Sequence, residues 1–178
     1  NNSLINLIDT QIDTDFINDS ISIGKIGESK RENYRIVFTP IHGTSYKILP
    51  EVLNGAGFND LHIVKEQAIP DGNFNTVKSP NPEEPEALSM AIDLAEAVNA
   101  DIVIGTDPDA DRVGLAVKNN ENEYSLLNGN QMMIILTEFI LSKRKKLNKS
   151  FFIGSTVVST AMIKNIAERY NVDFKVGL

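Results

Sequence analysis

The chain has no cysteine at all and only two histidines, His42 and His62, among its 178 residues. Without thiols it can form neither disulfides nor thiolate metal sites, and the redox compartment is left open. A histidine-rich zinc site is equally out of reach. Basic residues are in deficit: 17 Lys and Arg stand against 24 Asp and Glu, a net charge of −7. That balance argues against a nucleic-acid partner, because phosphate contacts need clustered cations. No apolar run reaches the roughly 18 residues of a membrane span. No signal-peptide pattern stands at the start either, so a cytoplasmic location with no membrane partner is expected. The chain opens Asn1-Asn2-Ser3 without a methionine, as a piece of a longer protein would.

What remains is ordinary globular material, 42% apolar and 23% charged, long enough for one large domain or two small ones. Phe16, Ile17, Ser20 and Ile21 suggest a short amphipathic helix, and 24–33 reads as an exposed loop. Residues 34–39 form the first strand, closed by Pro40. Ile48, Val52 and Leu53 then mark a helical face that Gly55 and Gly57 stop, and 60–67 is a second strand. Asn81, Pro82 and Glu84 predict a helix start, with Leu88, Ala91, Ile92, Ala95 and Val98 on one face. Strands at 101–105 and 112–118 should pair antiparallel across a short loop.

The predicted fold is therefore α/β, a layered mixed sheet flanked by helices, followed by an incomplete second α/β unit. The polar patch 118–125 marks the boundary, giving units of 1–122 and 123–178. In the second, a helix from Asn128 should turn Met132, Ile135, Leu136, Phe139 and Ile140 inward. One strand near 151–158 and a helix over 160–170 follow.

The stretch Gly105-Thr-Asp-Pro-Asp-Ala-Asp-Arg112 carries the chemistry. Extended backbone would direct the side chains of Asp107, Asp109 and Asp111 to one side, and Pro108 keeps Asp107 out of helical conformation. Three carboxylates this close repel one another unless a cation sits among them. Hard oxygen donors suit Mg²⁺, and the adjacent Arg112 is placed to hold a phosphate on the metal. A bland alternative is a solvated aspartate-rich turn that Arg112 merely neutralises. A calcium EF-hand is excluded, since Arg112 and Lys118 occupy the places of its sixth-position Gly and twelfth-position Glu. His42 and Gly43 follow the first strand, where open α/β sheets carry binding loops, and are candidates for substrate contact.

"TDPDADR" (106–112) resembles the metal-binding loop of the α-D-phosphohexomutases, the phosphoglucomutase/phosphomannomutase superfamily. "FTPIHGTSYKILPEVLNGAGF" (38–58), "EQAIPDGNFNTVKSPNPEEPEAL" (66–88) and "LLNGNQ" (126–131) agree with that family in order and spacing. "STVVSTAMIKNIAERY" (155–170) resembles the opening of the family's third domain. The resemblance implies that Asp107, Asp109 and Asp111 hold Mg²⁺ against a phosphoserine, with Arg112 on the phosphate. It also implies a sugar phosphate substrate, isomerised through a bisphosphate intermediate. The family's "ASHNP" serine loop, its "GEESGH" sugar loop and its C-terminal phosphate loop have no counterpart here. The chain by itself is therefore expected to be inactive. Two other readings stand beside this one: a module that binds Mg²⁺ or sugar phosphate without catalysis, and a phosphatase using Asp107 as nucleophile.

Overall fold

A computed structural model describes residues 4, 6, 8–26, 30–148 and 150–177. The chain divides into two compact units after Leu126. The sequence suggests a boundary at 122, and a strand, β5 (Tyr124–Leu127), forms the edge of the first sheet just beyond it.

The first unit opens with α1 (Thr10–Gly24), capped by the Asp9 carboxylate, which accepts from the Gln11 N–H at 3.0 Å. Ile17, Ser20 and Ile21 are its half-buried face, packed toward α2 (Ile48–Gly55). Pro50 falls in the first turn of α2, where its missing N–H has no intrahelical partner to lose. The sheet is ordered β2-β1-β3-β4-β5, with β1 (Arg35–Thr39), β2 (Asp60–Ile63), β3 (Ile102–Thr106) and β4 (Val113–Lys118). β1 pairs parallel with β2 and β3, in a register setting Phe38 opposite Ile63 and Ile104. β4 returns antiparallel on β3, as the sequence predicts. β2 is shorter than expected, because Lys65–Gln67 tighten into a 3₁₀ turn.

The core sits where α3 (Ser89–Val98) crosses this sheet. Ala91 and Ala95, one turn apart and fully buried, bring the helix close against Val37, Val103 and Ala116. α3 begins seven residues later than the Asn81-Pro82-Glu84 pattern suggested. Pro85 explains the delay: it has no N–H to bond the Asn81 carbonyl and disfavours helical backbone at Glu84. The same capping chemistry makes an isolated turn instead, with the Asn81 side chain accepting from the Glu83 N–H at 3.1 Å and Glu84 N–H reaching the Asn81 carbonyl at 3.0 Å. Asn99, left-handed at φ 55°, ends α3.

The second unit holds α4 (Gly129–Lys143), β6 (Phe152–Thr156), α5 (Met162–Arg169) and β7 (Asp173–Gly177). Asn128 and Gln131 close a reciprocal capping box at the start of α4. β6 and β7 pair in parallel, joined through α5, so the unit has a second strand that the sequence reading missed. Leu141, Ala167 and Val172 form its core. Met132 is buried as expected, but Ile135, Leu136, Phe139 and Ile140 are exposed. Two strands offer too little surface to cover both faces of a fifteen-residue helix.

Candidate metal centre

The parallel strands β1 and β3 end side by side, and each delivers a loop to the same end of the sheet. From β3 comes the six-residue connection 107–112, bridging the Thr106–Val113 pair of the hairpin. Its backbone is not extended, so strand alternation is not what gathers the three aspartates. A turn does: the Ala110 N–H donates to the Asp107 carbonyl at 3.0 Å, with Pro108 in the second position that suits its fixed φ. Ala110 is left-handed at φ 62° and swings the chain back toward the hairpin. Through this turn one carboxylate oxygen from each of Asp107, Asp109 and Asp111 comes within 4.8 Å of the others.

The three ligand candidates are not equivalent. The Asp107 side chain is 1% exposed, while Asp109 and Asp111 face solvent. Asp107 Oδ1 accepts from the Arg112 backbone N–H at 2.9 Å and Oδ2 from the Arg112 Nε at 2.7 Å. Burial pushes the Asp107 carboxyl up, but those bonds from Arg112 outweigh it and hold the group below its ordinary value. Asp111 moves the other way, raised by a hydrogen bond shared with Asp107 and then by the charges of Asp109 and Asp107. Such opposed neighbours are what a cation relieves. Arg112 takes one lone pair of each Asp107 oxygen, and the hydrogen bond with Asp111 draws on a further one. The donor set is all carboxylate, which fits a hard divalent ion. Arg112 commits only Nε to Asp107, and its side chain remains 53% exposed.

From β1 comes the loop 40–44, where the structure puts His42 and Gly43. Ile41 and His42 are both left-handed, at φ 44° and 60°. The His42 ring turns inward at 7% exposure, with Nδ1 3.1 Å from the Ile69 carbonyl and Nε2 2.8 Å from Thr76 Oγ1. Gly43 lies against the aspartate loop. A Cβ there would stand 2.5 Å from Pro108 Cα and 2.8 Å from the Pro40 carbonyl oxygen. The close approach lets the Thr44 N–H reach the Pro108 carbonyl at 2.8 Å, and Ser45 Oγ lies 2.6 Å from Thr106 Oγ1.

The stretch 80–88 closes on the hairpin from another side. Pro82 packs its backbone directly over Gly114, and Leu88 fills the space beside Gly105. Sequence reasoning found the aspartates and the loop at His42, gave Pro82 only a helix-start role, and missed Thr76. Thr76 lies far along the chain in a turn-rich loop with no periodic signal, and only the fold brings it to His42.

The aspartate turn, its arginine and the two glycine-permitted contacts lie together at one end of the sheet of an α/β domain, with three carboxylates close enough to share one cation. Residues 14–121 match the phosphoglucomutase/phosphomannomutase alpha/beta/alpha domain II, and residues 128–177 match alpha/beta/alpha domain III of the same family. The chain belongs to the phosphoglucomutase/phosphomannomutase family. It is 34% identical over 174 residues to a phosphoglucomutase of Staphylococcus epidermidis, covering 97% of this chain and 31% of that protein. With a Staphylococcus aureus phosphoglucomutase it shares 38% identity over 150 residues, 84% of this chain and 27% of the relative. The chain thus spans about a third of the length of the curated relatives it matches. In fold it is similar to a phosphoglucomutase/phosphomannomutase family protein from Burkholderia thailandensis, with TM-score 0.69 at 18% identity, over 93% of this chain and 32% of that one.

Proposed function

We propose that the chain is the metal-holding part of an enzyme that moves a phosphoryl group between the 1- and 6- (or 5-) hydroxyls of a sugar phosphate. The transfer runs through a phosphoserine and a bisphosphate intermediate, on segments beyond those seen here. One observation carries the reading: Asp107, Asp109 and Asp111 converge within 4.8 Å inside the segment 14–121 that matches the family's domain II. Mg²⁺ is the ion this donor set suits, and when bound it supplies positive charge to the oxygens of the phosphoryl group in flight. Asp107, dry and fixed by two bonds to Arg112, is the rigid ligand. Asp109 and Asp111 complete the set from the solvent side. Arg112 keeps its two terminal nitrogens for a phosphate oxygen while Nε orients Asp107.

Phosphoryl transfer depends on positioning and charge stabilisation over several groups at once, so this chain alone is inactive. The test compares the purified 178-residue chain with the longer polypeptide of its gene, following glucose 6-phosphate formation from glucose 1-phosphate with a trace of bisphosphate. The longer protein turns over and the chain does not. Turnover by the chain alone, or a longer protein indifferent to Mg²⁺, would overturn the reading.

A further inference from the structure

Two consecutive left-handed residues, one of them the β-branched Ile41, need a reason to stay in place. A buried polar network supplies it, and its direction can be worked out atom by atom. The Ile69 carbonyl can only accept, so His42 Nδ1 carries the proton. Nε2 makes the ring's second hydrogen bond, to the Thr76 hydroxyl at 2.8 Å. Thr76 Oγ1 in turn accepts from Gln67 Nε2 at 3.0 Å. Gln67 Oε1 accepts from the Thr39 hydroxyl at 2.5 Å, and Thr39 Oγ1 accepts from the Ile41 N–H at 3.1 Å. The backbone closes the frame, with the His42 N–H on the Gln67 carbonyl at 3.0 Å and the Asp71 N–H on the His42 carbonyl at 3.2 Å. No buried side-chain polar atom among the described residues lacks a partner.

This network starts at the end of β1 and finishes at Gly43 and Thr44, which grip Pro108 between Asp107 and Asp109. We infer that His42, held by Ile69 through Nδ1 and by Thr76 through Nε2, is a positioning residue for the aspartate loop, in place of the substrate contact its sequence setting suggests. Both ring nitrogens are spent inside the fold, so the ring has nothing left to offer a ligand. What it controls is the left-handed turn, and through it the Thr44–Pro108 clamp that fixes how the carboxylates converge. The inference rests on the metal reading only for its functional consequence; the clamp itself can be read without metal.

The experiment uses the whole chain and two readouts: hydrogen exchange at the Thr44 amide relative to Val103 in the core, and the dissociation constant for Mn²⁺. Thr76→Val keeps shape and removes the hydroxyl. It should speed Thr44 exchange relative to Val103 and weaken Mn²⁺ binding about tenfold, the scale at which groups orienting metal ligands act. Thr76→Ser should restore both. Val98→Ala, a packing change outside the network, should alter overall stability without separating Thr44 from Val103. Thr44 protection that follows Val103 in both Thr76→Val and His42→Ala would overturn the inference, even with Mn²⁺ binding intact. Conversely, a Thr44 response in a chain whose Mn²⁺ binding ignores Asp109→Asn would uphold the clamp and remove the metal reading.

Discussion

Gly43→Ala tests the contact that joins the two loops. The Gly43 backbone, at φ −100° and ψ −173°, is one that alanine adopts freely, so the whole effect is steric. The new Cβ would stand 2.5 Å from Pro108 Cα, about 0.9 Å inside the 3.4 Å at which ordinary contact begins, with Pro108 O at 2.7 Å and Pro40 O at 2.8 Å. All three neighbours are backbone, so no side chain can rotate away. The aspartate loop has to retreat, and the Thr44–Pro108 hydrogen bond goes with it. Overpacking of this kind costs about 1–3 kcal/mol and the lost bond about 1 more, so we expect about 3 kcal/mol of destabilisation in urea. That corresponds to a Tm lower by about 10 °C for a chain of this size. Mn²⁺ affinity, measured by titration calorimetry, should fall in parallel. Gly72→Ala is the control, since nothing lies within 4 Å of a Cβ there. A Gly43→Ala chain within about 0.5 kcal/mol of the parent, the ordinary range for an inconsequential surface change, would refute the reasoning.

Gly114→Ala should cost more than Gly105→Ala by urea denaturation, because the first meets the Pro82 backbone and the second only the movable end of Leu88. Tyr124→Phe removes a hydroxyl that reaches the Ala95 and Ala100 carbonyls at 3.1 and 2.5 Å, and should lower stability by about 1 kcal/mol. The depressed Asp107 carboxyl contributes stability above its unfolded value that is lost as pH falls through the lower folded one. Arg112→Met should therefore start acid unfolding at a higher pH, which a fluorescence-monitored pH titration would show. Asp109→Asn should abolish metal binding while leaving the metal-free fold as stable as before or slightly more so, because a repulsive charge has gone.

The elements nearest the site were the most legible in the sequence. β1 and β3 are short apolar runs closed by Pro40 and by the aspartate loop, and the hairpin follows from two such runs six residues apart. The start of α4 was legible at Asn128, and the structure adds Gln131 as the other half of its capping box. The aspartates were found for a partly wrong reason, since spacing suggested an extended strand where Pro108 and Ala110 make a turn. Asn81, Pro82 and Glu84 carry the local signals of a helix start, and Pro85, directly after them, cancels it. β5 and β7 are strands of four and five residues whose pairing partners, not their own patterns, define them. The inward turn of His42 had no local signal, because its partners Ile69 and Thr76 reach it only through folding.

The central claim is that Asp107, Asp109 and Asp111 together form one divalent cation site. Mn²⁺ shares the oxygen preference of Mg²⁺ and broadens nearby amide resonances even when binding is weak. Titrated into the ¹⁵N-labelled chain, it should broaden the amides of residues 107–112 first, and Asp109→Asn should abolish that broadening. Broadening centred elsewhere, or unchanged in Asp109→Asn, would contradict the account.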